Sequence, residues 1–166
     1  MTQPMSQELW RELVPQTLAR LVRRYGADQF DHCEDAVQEA VLEAHRSWAT
    51  RPPDDPQAWL ATTARRRYID LIRTDRRRRE REQRVALLDE PLTAGSVSSE
   101  SDDALLLLRL CCHPALPRTG QVALTLRAVA GLRTEQIANV YQLPEPTIAQ
   151  RITRAKQRLK EHRDAL

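Results

Sequence analysis

The sequence predicts an all-α protein built from two small helical domains. Aromatic residues make up 4% of the 166 residues and glycine occurs only four times, which argues against sheets made of aromatic and β-branched runs. Alanine, leucine, arginine, glutamine and glutamate, which favour helices, are abundant. Charged residues make up 30% of the chain and hydrophobic residues 41%, a balance typical of a globular protein with modest cores.

A linker is predicted between the two domains. The stretch ALLDEPLTAGSVSSESDD contains a proline, a glycine and several hydroxyl residues, with little apolar content after Leu92. Such a composition is typical of a flexible linker. We therefore assign the first domain to residues 1–86, the linker to 87–103 and the second domain to 104–166.

The first domain contains a helix with one apolar and one acidic face. It is predicted to begin at DHCE, a capping box with Asp31 as N-cap and Glu34 reaching back. Residues at helical spacing then form its buried stripe: Cys33, Ala36, Val37, Ala40, Val41, Ala44 and Trp48.

The opposite face of this helix gathers Asp35, Gln38, Glu39, Leu42 and Arg46, and we call the first four of these residues the acidic strip. The surrounding segment, 28–55, holds eight acidic and two basic residues. Two interpretations stay open, because single exposed leucines are common on protein surfaces. The strip is either ordinary surface or a docking face for a basic partner.

A second helix, from about Gln57, has an arginine-rich far side formed by Thr62, Arg66, Ile69 and Arg73, with Arg65 beside it. Between Arg65 and Arg84 the chain has ten arginines. This face is either solvated surface or, together with Trp59 and Tyr68, a surface for phosphate contacts and base stacking on nucleic acid.

The second domain ends in a predicted helix-turn-helix. A short helix follows Thr134, with Ile137, Ala138 and Tyr141 facing inward, and a tight turn comes after it. The residue before a proline avoids helical geometry, whereas proline suits the first helical position. Hence the last helix is predicted to start with Glu145 as N-cap.

The last helix separates an apolar stripe from a polar face. The stripe consists of Ile148, Ile152, Ala155 and Leu159. The polar face consists of Thr147, Gln150, Arg151, Arg154 and Arg158. In a helix-turn-helix the second helix enters the major groove, where glutamine and arginine can form bidentate contacts with adenine and guanine. An ordinary amphipathic surface helix is the alternative.

Three segments in this order resemble the bacterial sigma-70 family of RNA polymerase sigma factors, specifically the extracytoplasmic function (ECF) type. They are DHCEDAVQEAVLEAHRSW, PQAWLATTARRRYIDLIR and GLRTEQIANVYQLPEPTIAQRITRAKQRL. The resemblance implies a sigma-2 domain, a linker and a sigma-4 domain. The stretch RLCCHPALP resembles an ECF subgroup whose members carry a long C-terminal extension of helical repeats.

The resemblance also implies partners and sites. The acidic strip corresponds to the part of sigma-2 that binds core RNA polymerase, on the clamp helices of β′, with the β subunit as a further contact. Residues implied in −10 promoter DNA recognition are Trp59, Thr62, Arg65, Arg66 and Arg73. Residues implied in −35 recognition are Thr147, Gln150, Arg151, Arg154 and Lys156. Many relatives have asparagine in place of Arg66.

Further partners and two alternative functions are also compatible with the sequence. An anti-sigma factor, or a regulatory C-terminal extension absent from this chain, is a further partner that the resemblance allows. A self-sufficient helix-turn-helix regulator of duplex operators and a protein-binding adaptor are the alternative functions. The acidic strip discriminates between a sigma factor and a self-sufficient regulator, because a simple operator-binding regulator has no use for it.

Catalytic and metal-binding functions are not expected. The sequence has no Gly-rich phosphate loop, no nucleophile paired with a base and no carboxylate pair placed for chemistry, so we predict neither an enzyme nor a cofactor. Cys33, Cys111 and Cys112 lack zinc-site spacing and are interpreted as buried thiols rather than metal ligands. No apolar run reaches the roughly 20 residues of a membrane span, and we expect a cytoplasmic protein, nucleoid-associated when active.

Overall fold

The protein is described by a computed structural model that covers residues 7–82 and 100–162. These residues form seven α-helices and no strand, which confirms the all-α prediction. The helices are α1 Gln7–Tyr25, α2 Phe30–Ser47, α3 Pro56–Glu82, α4 Glu100–Cys111, α5 Arg118–Ala128, α6 Thr134–Tyr141 and α7 Glu145–Glu161, with a short 3-10 turn, Ala27–Gln29, before α2. Residues 87–99 of the predicted linker lie outside the described residues.

Helices α1, α2 and α3 form the first domain around a common core. The predicted stripe of α2 is confirmed: six of its residues are buried and Val41 is half-buried. Leu60 of α3 and Val22 of α1 are fully buried beside it. Trp48 closes the core by stacking on Trp10, with ring centroids 5.2 Å apart. Each such large side chain contributes roughly 1.5–3 kcal/mol through its burial.

The predicted capping box of α2 is wrong. Helix α2 begins at Phe30, and Gln29 at its N-cap position makes no side-chain capping bond. The chain enters α2 through Gly26, whose φ of 99° favours glycine and where a Cβ atom would lie 2.6 Å from Asp28 Oδ1. Asp31 and Glu34 are therefore not needed as caps, and both contact the second domain instead.

Helices α4 to α7 form the second domain around Leu107, Leu124, Ile137 and Ile148, each at most 1% exposed. Tyr141, predicted to face inward, is 38% exposed, so that prediction is wrong. Because Tyr141 is the last residue of α6, no following turn of that helix covers its side chain.

Helix α4 begins at Glu100, four positions before the second domain was predicted to start. The sequence of its first turn, ESDD, is acidic, and negative charge stabilises the N-terminal end of a helix. The acidic, hydroxyl-rich composition that suggested a linker thus also suits a helix start.

The two domains contact each other. Helix α4 packs on α1, and α7 packs on the 3-10 turn and on α2. These contacts join segments that are 80 to 122 positions apart in the chain. Sequence periodicity, which reports only which face of a helix is buried, gave no indication of them.

Candidate functional site

The acidic strip lies on the exposed side of α2. All four of its residues are exposed, and Leu42 is 56% exposed. Glu39 lies 3.9 Å from the guanidinium of Arg67 on α3. The strip therefore combines negative charge with an apolar centre, as the sequence predicted.

Burial and the neighbouring Glu34 carboxylate raise the pKa of Asp35, while Lys156 of α7 opposes this shift. Glu34 thus adds negative charge beside Asp35, which Lys156 partly compensates. A basic partner that approached Asp35 would favour its ionised form.

An apolar cleft of about 350 Å³ borders the strip. Gln38 and Leu42 line it from α2, and Arg127 and Gly131 line it from the second domain. Its apolar lining also includes Val14, Leu18, Val37 and Val41. An apolar side chain of a partner that contacts Leu42 would find further apolar surface there.

The arginine face of α3 is exposed at Thr62, Arg65, Arg66 and Arg73. The two aromatic residues associated with it are less accessible. Trp59 is half-buried and packs edge-on against Trp48, with ring centroids 5.1 Å apart. Tyr68 is buried and stacks on Tyr25 at 3.8 Å, so it belongs to the core.

Glu43 of α2 holds two of the α3 arginines. Its carboxylate accepts hydrogen bonds from Arg66 at 2.8 Å and from Arg67 at 3.1 Å. Partial burial raises the pKa of Glu43, but the bonds from Arg67 and Arg66 outweigh burial and leave that pKa below its ordinary value. The arginine face is thus partly neutralised by its own domain.

Helices α6 and α7 form a helix-turn-helix. The turn contains Gln142, with φ of 51°, and its following residue, Leu143, donates a backbone hydrogen bond of 3.0 Å to Ala138. Pro144 occupies the N-cap position, which corrects the prediction of Glu145 by one residue. Pro146 still lies in the first turn, where its missing N–H leaves no bond unmade.

One side of α7 presents Gln150 and Arg154 as exposed residues and Thr147 and Arg151 as half-buried ones. The stripe beneath them, from Ile148 to Leu159, is buried as predicted. In the described part of the chain none of these four polar residues forms a salt bridge. The polar side of α7 is therefore free to contact a ligand.

Lys156 does not share this side of α7. Nine positions separate it from Thr147, which is about two and a half turns, so the two side chains point in opposite directions. Lys156 binds the carboxylates of Glu34 and, at 3.1 Å, Asp31 of the first domain. Burial lowers the pKa of Lys156, but Glu34 and Asp31 outweigh burial and raise it.

Several residues of the interdomain contact were missed by sequence reasoning. Glu34 also accepts a hydrogen bond of 3.1 Å from Arg127. Asp103, at the start of α4, is fully buried and binds both Arg20 and Arg23 of α1. A buried aspartate has no local sequence signal, because its partners come from a distant part of the chain.

The cysteines are not clustered with other metal-binding side chains: among the described residues there is no group of three His, Cys, Asp or Glu that could hold a metal ion. Cys33 and Cys111 are buried, and burial raises the pKa of both thiols, that of Cys111 to about 12. Cys112 is exposed, so the prediction of a buried thiol is wrong there. No helix within the described ranges is both long and apolar enough to cross a membrane.

Comparisons with known proteins agree with this arrangement. Residues 11–78 match Sigma-70 region 2, which covers α2 and most of α1 and α3. Residues 107–159 match Sigma-70, region 4, which includes the helix-turn-helix.

Three curated relatives are similar over most of this chain. An uncharacterized protein of Rhizobium meliloti is 40% identical over 158 residues, which are 87% of this chain and 36% of the relative. A probable ECF RNA polymerase sigma factor, SigI, of Mycobacterium tuberculosis is 31% identical over 80% of this chain and 47% of its own length. The ECF RNA polymerase sigma factor SigE of Mycolicibacterium smegmatis is 27% identical over 92% of this chain and 61% of its own.

The chain thus spans between about a third and three fifths of the length of these relatives. Both sigma regions are matched in the order that the sequence predicted, and each coincides with one of the two helical domains. The chain belongs to the sigma-70 family, and within it to the ECF type.

Proposed function

We propose that this protein directs promoter-specific transcription initiation: it binds core RNA polymerase through the acidic strip, contacts −35 duplex DNA with α7 and contacts −10 DNA with the arginine face of α3. The observation that carries the proposal is that one chain presents two separate surfaces: a helix-turn-helix whose polar face has no salt bridge among the described residues, and an acidic strip with an exposed leucine. The protein itself catalyses no reaction and acts in the cytoplasm, with the polymerase.

Docking on the polymerase is supported by charge and by apolar surface. Asp35 and Glu39 offer negative charge to basic residues of β′, and complementary charge speeds and orients association. Leu42 offers apolar area for binding, together with first-domain residues that line the adjoining cleft, Val14, Leu18, Val37 and Val41. The clamp helices of β′ are the proposed contact, with the β subunit as a further one.

Reading of the −35 element is supported by the side chains at the start of α7. Thr147, Gln150 and Arg151 lie in the first two turns, the part of a recognition helix that reaches base edges. Arg154 lies one turn further on the same side. Each bidentate contact of this kind gives about 1–3 kcal/mol of discrimination against a wrong base.

Contact with −10 DNA is supported by Thr62, Arg65, Arg66 and Arg73, which are exposed on one face of α3. Trp59 lies at the edge of this face, and its half-buried ring leaves part of its surface accessible for stacking. Arg66 is held by Glu43, so its contact with phosphate requires exchange of one anion for another.

A reconstituted transcription assay tests the proposal. Purified core polymerase with this protein is expected to initiate at promoters found by mapping transcription starts after overexpression, whereas core alone does not. Binding to duplex DNA without any association with core would contradict the proposal and favour a self-sufficient helix-turn-helix regulator. Association with core without DNA binding would favour an adaptor.

The docking face is tested by charge reversal. The double variant Asp35→Lys, Glu39→Lys is expected to weaken binding to core by about tenfold or more, or about 1.4 kcal/mol. Its binding to −35 duplex DNA should stay unchanged. Glu135→Lys, which reverses an exposed acidic residue on α6, is the matched control. Equal affinity of both variants for core would contradict the proposed docking face.

A further inference from the structure

In the contact between the domains, carboxylates of one domain pair with arginine or lysine side chains of the other. On one side Asp103 of α4 binds Arg20, at 3.3 Å, and Arg23. Asp103 is fully buried, whereas the two arginine side chains are 30% and 33% exposed. A buried carboxylate between two guanidinium groups is held by charge-assisted hydrogen bonds.

The same arginines line a cleft of about 290 Å³ between α1 and α3. Among the seven described residues that line it, four are arginines and none is acidic; the arginines are Arg20, Arg23, Arg24 and Arg65. Arg65 also belongs to the arginine face of α3, so the cleft continues the surface that we propose for −10 DNA.

Arg24 and Arg65 are exposed and, within the described ranges, have no carboxylate partner. Arg24 lies over the ring of its neighbour Tyr25, 5.8 Å from the centroid. Two arginines without an anion, next to two that bind Asp103, leave the cleft strongly positive. The planar guanidinium of arginine can bind either carboxylate or phosphate through two parallel hydrogen bonds.

The domains cannot stay in contact when both promoter elements are bound. About 25 base pairs separate positions −35 and −10, which at about 3.4 Å per base pair is about 85 Å. A compact chain of this length has a radius of gyration of only about 15 Å. Contact of α4 with α1 must therefore break on the promoter, and Asp103 then leaves Arg20 and Arg23.

We propose that Arg20, Arg23, Arg24 and Arg65 form a binding site for the DNA sugar-phosphate backbone, and that Asp103 occupies part of this site as an internal anion while the domains are in contact. This inference rests on the proposed function, to which it adds a DNA contact on α1. When the domains separate, phosphate replaces the Asp103 carboxylate on Arg20 and Arg23. Contact between the domains and binding of DNA at this site are then mutually exclusive.

Arg24→Gln tests the site without altering the interdomain contact. The probe is a fluorescein-labelled, single-stranded DNA of about 20 nucleotides, and anisotropy gives its affinity for the full chain at several salt concentrations. Loss of one phosphate contact is expected to reduce the slope of log affinity against log salt by about 0.7. Arg11→Gln is the matched control, because Arg11 is exposed on α1 about 20 Å nearer its start.

Asp103→Asn tests the internal anion. It removes the charge while keeping the size of the side chain, and it is expected to raise affinity for the same probe about fivefold or more. Circular dichroism checks that α4 remains folded. If Asp103→Asn does not fold, Arg24→Gln by itself tests the proposed DNA-backbone site. Equal salt slopes for Arg24→Gln and Arg11→Gln would overturn the inference, as would unchanged affinity of folded Asp103→Asn.

Transcription with core polymerase separates this inference from the proposed function. If the wild-type protein initiates transcription but Arg24→Gln behaves like Arg11→Gln, the α1 site is wrong and the proposed function stands. If the wild-type protein fails to initiate while Arg24→Gln and Asp103→Asn change DNA binding as expected, the site stands and the proposed function is wrong.

Discussion

Helices α3 and α7, which we propose contact DNA, are both rich in arginine but differ in how their charges are satisfied. On α3, Arg66 and Arg67 bind Glu43, a residue of the same domain. On α7, Gln150 and Arg154 are exposed, and Arg154 has no acidic partner among the described residues. Recognition of bases requires polar side chains that are not already bound to other groups of the protein. Contacts with the DNA backbone can instead be made by arginines that exchange a carboxylate partner for a phosphate. The difference predicts a preformed −35 surface and an adjustable −10 surface.

The largest effect is expected from loss of the support beneath α7. Ile148→Ala removes a fully buried side chain and should destabilise the second domain by about 2–5 kcal/mol. Urea unfolding measures this change. Val140→Ala, at a residue 70% exposed, is the control and should change stability by less than about 0.5 kcal/mol. Similar losses for both variants would show that α7 does not depend on its stripe.

The next largest effect is expected on the α7 surface itself. The double variant Arg151→Glu, Arg154→Glu should weaken binding to −35 duplex DNA at least a hundredfold, because each contact contributes about 1–3 kcal/mol. Lys160→Glu, which reverses an exposed charge on another side of α7, should have a much smaller effect. Anisotropy with a labelled duplex measures both. Unchanged binding by the double variant would rule out α7 as the reading helix.

A smaller effect, of opposite sign, is expected on α3. Glu43→Gln frees Arg66 and Arg67, so affinity for single-stranded DNA should rise by about two to five fold, the size of an exposed ion pair. The exposed residue Glu12 provides the control variant, Glu12→Gln. Reduced affinity of Glu43→Gln would mean that this carboxylate positions the arginines for DNA rather than competing with it.

The smallest effect is expected in the pH dependence of stability. The folded pKa of Glu43 lies below the ordinary value of 4.5, so its ion pairs stabilise the fold above that pH and are lost as the pH falls through the lowered pKa. The difference in unfolding midpoint between wild type and Glu43→Gln should therefore shrink on acidification. A difference that stays constant from neutral pH to about pH 3 would contradict this assignment.

Much of the candidate site could be predicted from the sequence because it depends on helical periodicity. The spacing that buries Ala40 and Ala44 on one side of α2 places Glu39 and Leu42 on the other, whatever packs against the helix. The same reasoning predicted the polar face of α7 and the role of Pro146 near its start. Lys156 shows the limit, because periodicity does not reveal that it binds Glu34 and Asp31 of the first domain.

The sequence by itself determined the buried faces of α2 and α7, the helix-turn-helix and the separation of acidic from basic surface, because each depends on residues within a few turns of one another. Only the tertiary structure decided which charges are paired. Asp103 with Arg20 and Arg23, and Glu34 with Lys156 and Arg127, meet across at least 80 positions of chain. The same carboxylate can act as a helix cap, as a solvated charge or as a buried ion-pair partner. Only the packing of distant helices selects among these roles.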